Sequence, residues 1–221
     1  MNQAVIFDLD GVIVDTAEYH YQGWKKLADE LGVPFDRQAN EKLRGVPRRE
    51  SLLLLLGHNP GEEKIREYTD RKNGYYLDLV QTLKPGDVLP GAGELIGGLK
   101  RAGFRIALAS SSKNARLVLS KIQMTEAFDA VVDGREIQRG KPDPELFLLS
   151  ARRLDAEPAR CVVVEDAESG IEAAIAAGMH HLGIGDAKNL PRAERVVAGL
   201  AEVGVEDFRR LLEGPLRPSS A

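Results

Sequence analysis

Phe7-Asp8-Leu9-Asp10-Gly11-Val12-Ile13-Val14-Asp15-Thr16 is the stretch on which the fold reading turns. It follows the short apolar run Ala4–Phe7. Strand side chains alternate faces, so Asp8 and Asp10 project one way and Leu9 the other. Open parallel α/β sheets bind ligands where strands end, which is where the two aspartates fall. Two carboxylates converging there repel unless a cation or a shared proton intervenes. Gly11 allows the sharp turn that follows.

Outward from this point, short apolar runs alternate with helical patterns. Strands are predicted at Ala4–Phe7, Arg105–Ala109, Ala130–Val132, Cys161–Val164, 181–184 and Arg195–Val197. Helical spacing covers 92–102, 114–122, 143–154 and 169–177. This alternation predicts an α/β fold with a doubly wound parallel sheet covered on both faces. Gly57, Gly103 and Gly178 stand where helices should end.

Residues 17–85 break the rhythm, with helical pattern at 19–31, 38–43, 48–56 and 62–83 and no convincing strand. The five leucines Leu52 to Leu56 are expected to form a buried helix face. An all-helical domain, residues 16–85, is therefore predicted as an insertion after the first strand. Residues 1–15 and 86–221 form the α/β core. Lys84-Pro85-Gly86-Asp87 and Leu89-Pro90-Gly91 read as the return linker. The tail 214–221 is expected to fray.

Composition narrows the function class. The 221 residues carry 30 Lys+Arg against 34 Asp+Glu, a formal net charge of −4, and 43% are hydrophobic. That balance argues against a nucleic-acid or polybasic membrane-surface protein. A small anionic substrate remains compatible, because a pocket needs only a few local cations. The single Cys161 excludes an internal disulfide framework and reads as a buried structural thiol. There is no signal-peptide pattern at the start and no apolar run of transmembrane length. The expectation is a soluble, cytoplasmic protein.

Three further elements each follow a predicted strand. Ser110-Ser111-Ser112-Lys113-Asn114 offers hydroxyls and backbone N–H groups at a helix start, suited to phosphate. Lys141 lies between turn residues in Gly140-Lys141-Pro142-Asp143-Pro144. Glu165-Asp166 ends a strand with hard oxygen ligands of the kind Mg2+ takes.

In order and spacing these motifs resemble the haloacid dehalogenase superfamily of phosphotransferases, whose cap domain the helical insertion also resembles. Within it the chain is similar to the β-phosphoglucomutase family along nearly its whole length. Arg71-Lys72-Asn73 and Leu43-Arg44-Gly45-Val46 are among the stretches that carry the likeness. The resemblance implies Asp8 as nucleophile and Asp10 as general acid and base. Ser110 and Lys141 would hold the transferring phosphoryl group. Mg2+ would be bound by Asp8, the Asp10 carbonyl, Glu165 and Asp166, with β-glucose 1,6-bisphosphate as intermediate and activator.

It further implies substrate contacts from Thr16, His20 and Trp24 on the first cap helix, with His20 gating the protonation of Asp10. Thr16 also stands where a side chain would cap that helix, and the resemblance implies that it contacts Asp10 when the cap is closed. Gly45, Val46, Arg48, Ser51 and Lys72 would line the cap side. Arg48 grips the phosphate distal to Asp8, aided by Ser112 and Asn114, with Ser111 and Lys113 beside them. Hinges are expected near 14–15 and 84–86. Three positions depart from the family pattern: Arg44 replaces a lysine expected to contact sugar hydroxyls, Pro47 a small polar residue, and Ala167 a common serine. The implied activity is a monomeric isomerase acting on a small sugar phosphate, with no nucleic-acid or membrane partner. A sugar-phosphate phosphatase of the same superfamily is the alternative; a dehalogenase or a non-catalytic regulator fits the retained acidic residues poorly.

Overall fold

The computed structural model describes residues 2–216. Its centre is a parallel sheet of β1 (Ala4–Phe7), β2 (Arg105–Ala109), β3 (Ala130–Val132), β4 (Cys161–Glu165), β5 (His180–Ile184) and β6 (Arg195–Val197). The order is β3-β2-β1-β4-β5-β6, with β1 paired in register to both β2 and β4. The chain builds outward from β1 on one side, then crosses over to continue on the other. That reversal opens a crevice at the carboxyl end of β1, where the two aspartates lie.

Alternation along the strands produces the two cores. Val5 and Phe7, Ile106 and Leu108, and Val162 and Val164 face one layer. That layer comprises α5 (Ala92–Arg101), α6 (Ala115–Lys121) and α9 (Val205–Glu213). Ala4 and Ile6, Ala107 and Ala109, and Cys161 and Val163 face the other. There α7 (Glu145–Arg153) and α8 (Glu168–Ala176) pack on them. Small residues on this second face let helices approach closely. Cys161 is fully buried, and burial pushes its thiol up to about 12.

Between β1 and α5 run α1 (Ala17–Leu31), α2 (Arg37–Glu41), α3 (Arg48–Leu56) and α4 (Glu62–Val80). They enclose a core of their own around Trp24, Leu27, Phe35, Leu52 and Ile65. The two connections to the sheet domain lie side by side: Val14 bridges Val88, and Leu89 N–H donates to the Ile13 carbonyl at 2.9 Å. Among the described residues, no helix is long and apolar enough to cross a membrane.

Several expectations are corrected. The five leucines do not form one buried face: Leu52 is buried, whereas Leu54 is 57% exposed. Five consecutive residues turn through more than a full helical turn, so one side of the run must meet solvent. Thr16 occupies the N-cap position of α1 without a side-chain capping bond, because its hydroxyl is committed elsewhere. Helix α9 was not predicted. The Lys141-Pro142 peptide is cis. Of the tail expected to fray, residues 217–221 lie outside the described part.

Phe208 fastens α9 to the sheet and is fully buried. Phe208→Ala is expected to lower unfolding free energy by about 3–5 kcal/mol, measured by urea titration.

Candidate active site

The site is built at the ends of β1 and β4. Asp8 immediately follows β1, and its backbone N–H continues the ladder by donating to the Val164 carbonyl at 2.9 Å. Its Oδ2 accepts the Asp10 N–H at 2.9 Å, fixing the carboxylate against the turn. Gly11 makes that turn with φ 81°, and a Cβ there would fall 1.8 Å from Asp166 Oδ2. The residue is glycine for both reasons.

Lys141, on the loop before α7, is buried with Asp8 and Glu165. Its Nζ is 2.5 Å from Asp8 Oδ1 and pairs also with Glu165 Oε1. Glu165 Oε2 accepts the backbone N–H groups of Asp166 and Ala167. Burial pushes the Asp8 carboxyl well above its ordinary value; Lys141 opposes this, while Glu165, Asp10 and Asp166 add to it. Burial alone would lower the Lys141 ammonium, but Asp8 and Glu165 outweigh it and hold it above the ordinary range. Asp166 is pushed up to about 7 by burial, with Arg44 opposing and Glu165 reinforcing.

Asp10 is held by different partners. Thr16 Oγ1 donates to its Oδ1 at 2.5 Å, and Ser110 Oγ lies 3.5 Å from Oδ2. Burial raises the carboxyl, with the hydrogen bond from Thr16 pulling the other way. His20 Nε2 stands 3.6 Å from Oδ1. Burial, then Lys72 and Arg48, hold the imidazole well below its usual range, so this is a contact of a neutral ring and not an ion pair. Lys72 Nζ lies 2.7 Å from His20 Nδ1 and over the Trp24 ring.

The helical unit is seated on the sheet domain. Arg44 pairs with Asp166, and its carbonyl accepts the Ser169 hydroxyl at 2.8 Å. Pro47 abuts Gly140, where a Cβ would lie 2.0 Å from Pro47 Cγ. Asn114 Nδ2 donates to Asn73 Oδ1 at 2.9 Å. These contacts enclose a cavity of about 420 Å³. Asp8, Asp10, Glu165, Asp166 and Lys141 line its floor. His20, Trp24, Arg44, Gly45, Val46 and Arg48 line its roof, with Ser51 and Lys72 beside them. Ser111, Ser112 and Lys113 complete the wall.

Three expected residues, Thr16, Ser110 and Asn114, stand behind this wall, where they brace Asp10 and the cap. Arg44, expected at the sugar, has its guanidinium on Asp166 and Glu41. Ser51 holds the loop by donating to the Val46 carbonyl at 3.1 Å. Asn73, Gly140 and Ser169 act in cap seating and were not singled out from the sequence. Only Asn73 carried a signal, a polar residue one turn of α4 from Asp70 and beside Lys72.

The two ends of the cavity carry opposite charge. Asp8, Asp10, Glu165 and Asp166 crowd the floor. In the roof, Arg48 and Lys72 have no carboxylate within 4.0 Å among the described residues, whereas Arg49 turns outward to Glu62. Burial and each other's proximity lower Lys72. The floor's hard oxygen donors, in excess of the cations that face them, fit a divalent ion such as Mg2+. Lys141 and Arg44 now engage those oxygens, so no group of three acidic or imidazole side chains among the described residues forms a ready cage.

Residues 3–178 match the haloacid dehalogenase-like hydrolase family. The chain is 44% identical over 209 residues to the β-phosphoglucomutase of Bacillus subtilis, covering 92% of each chain. It is 30% identical to a phosphorylated carbohydrates phosphatase of Thermotoga maritima, covering 96% of this chain and 98% of that one. The crystal structure of a β-phosphoglucomutase from Clostridium difficile superposes with a TM-score of 0.91 at 38% identity, covering 96% and 98%.

Gly140→Ala places a methyl group against Pro47 and is expected to lower kcat/KM by about 10- to 100-fold through misplacement of the cap. Circular dichroism should be unchanged. Adding Pro47→Ala should restore most of the loss; no recovery would show that the contact is not the cause.

Proposed function

The chain belongs to the haloacid dehalogenase-like hydrolase family, and from that membership and the charge of its cavity we propose that it is a phosphomutase. It interconverts β-D-glucose 1-phosphate and D-glucose 6-phosphate through an aspartyl-phosphate enzyme and β-glucose 1,6-bisphosphate. The observation that carries this reading is the guanidinium in the roof. Arg48 has no carboxylate within 4.0 Å among the described residues, while the nucleophile's own cation, Lys141, lies at the opposite end. A hydrolase needs one phosphate grip; a mutase must hold a bisphosphate by either end.

In this mechanism Asp8, phosphorylated, transfers its phosphoryl group to the C6 hydroxyl of β-glucose 1-phosphate while Asp10 accepts the hydroxyl proton. The bisphosphate turns over, its C1 phosphoryl group returns to Asp8, and Asp10 gives the proton to the departing C1 oxygen. Burial raises the Asp10 carboxyl from its ordinary value, the direction that favours a group that must take up a proton as well as release it. Lys141 orients the transferring group and offsets repulsion between carboxylate and phosphate, while Ser110 braces Asp10 from behind. Asp8, the Asp10 carbonyl, Glu165 and Asp166 would hold Mg2+, which would supply further cancellation of charge on the phosphoryl oxygens. Arg48 takes the distal phosphate in a planar fork, with Ser112 on the core side and Asn114 behind it, tying that wall to Asn73. Residues 16–85 act as the cap, whose closure keeps water from the aspartyl phosphate. Trp24 walls the cavity on that side.

The protein is further proposed to work as a cytoplasmic monomer, which light scattering would check as a single-chain mass. A second reading, a sugar-phosphate phosphatase, is favoured by the likeness to the Thermotoga phosphatase.

Phosphorus NMR of β-glucose 1-phosphate with Mg2+ and a trace of bisphosphate separates the two. The expected result is glucose 6-phosphate with little free phosphate; free phosphate equal to substrate loss would establish the hydrolase instead. Asp8→Asn should lower kcat by at least about 1000-fold. Arg48→Ala should lower mutase turnover by about 10- to 100-fold, the worth of charge-assisted bonds to one phosphate.

A further inference from the structure

Tyr76 lies on α4 one turn beyond Lys72 and is completely buried. It does not line the cavity. Its ring stacks on His20, with centroids 4.1 Å apart and planes inclined by 22°. Lys72 Nζ, which meets His20 Nδ1, also lies over the Tyr76 ring at 5.2 Å from its centroid. One aromatic face therefore carries both the imidazole and the ammonium.

The tyrosine is itself immobilised by the sheet domain. It belongs to the hydrophobic cluster that includes Val12, Ile13 and Val14, the residues just after Asp10 and Gly11, together with Val80 and Leu83. The surface that fixes the His20 plane is thus referenced to the segment that carries Asp10. The Tyr76 hydroxyl is buried beside Thr16 and Ser112, with Asp10 nearby, and completes no hydrogen bond to any described residue.

We propose that Tyr76 is a positioning residue for phosphoryl transfer: its ring clamps His20 so that Nδ1 meets Lys72 and Nε2 faces Asp10. An imidazole free to rotate would present either nitrogen, or neither, to the carboxyl. Stacking removes that freedom, at a contact worth about 0.5–1.5 kcal/mol beyond burial. The inference rests on the assignment of Asp10 as proton carrier in the mutase reaction.

The test combines a spectroscopic and a kinetic measurement. In the wild-type protein the His20 ring protons should be shifted upfield by the Tyr76 ring current, and Tyr76→Leu should abolish the shift. Unshifted His20 signals in the wild type would overturn the proposal, whether or not the leucine variant folds and whatever the reaction proves to be. Kinetically, Tyr76→Leu is expected to lower kcat by about 10- to 100-fold, as for a misplaced catalytic contact, with KM changed less than about threefold. Tyr76→Phe keeps the ring and should recover most of kcat; equal loss in both variants would assign the effect to the hydroxyl and refute the clamp. In a His20→Ala background, Tyr76→Leu should add less than about a twofold loss, since coupled residues are not additive. A full additional loss there would also refute it. A wild-type protein lacking mutase activity but showing the shifted His20 signals would sink the functional reading and leave the clamp standing.

Discussion

Crowding of like charge at the carboxyl end of β1 and β4 is the constraint around which this molecule is arranged. Asp8, Asp10, Glu165 and Asp166 converge where two neighbouring strands stop, largely out of water. Such a cluster is tolerable only if fixed cations and donors surround it. Lys141 reaches in from the β3–α7 loop and joins Asp8 to Glu165, so one ammonium ties three segments of the sheet domain together. The Glu165 carboxylate is further held by two backbone N–H groups at the start of α8. Its burial is as much a structural necessity as a catalytic one.

Seating of the cap follows from the same electrostatics. Arg44 descends onto Asp166, adding a second cation to the crowded floor, and Pro47 packs on the glycine beside Lys141. Closure is thus guided by charge and then fitted by shape. Opposite the acidic floor, the roof keeps positive charge without neutralising partners. A substrate bearing phosphate at both ends is complementary to that polarity in either of two orientations. The same two grips therefore serve the bisphosphate in either orientation, as transfer between the two ends of the sugar requires.

The sheet was legible from sequence almost to the residue, because β1 and β4 are apolar on both faces, the remaining strands carry short apolar runs, and each run ends at an acid or a turn. The acidic motif was legible for the same reason: the strand rule alone placed Asp8 and Asp10 together at its edge. What escaped was set by tertiary contacts. Helix α9 is the exception, for its pattern stood in the sequence: Val205, Phe208, Leu211 and Leu212 recur at helical spacing and pack on the sheet core. The leucine run looked more buried than any single helix face allows. Thr16 had two legitimate uses for one hydroxyl; it contacts Asp10, as the resemblance implied, and the expected capping bond is not made. Tyr76 gave no signal beyond an aromatic in a helix, since its importance lies in what crosses from α1 to meet it.

The pairing of Lys141 and Arg44 with the floor carboxylates bears on how this protein withstands chelators. Small metal domains unfold when stripped, because the ion is the only thing that reconciles their ligands. Here protein cations already engage the acidic residues, and two hydrophobic cores flank the sheet independently of them. Removal of divalent ions should therefore leave the chain folded, its acidic residues still balanced by its own cations.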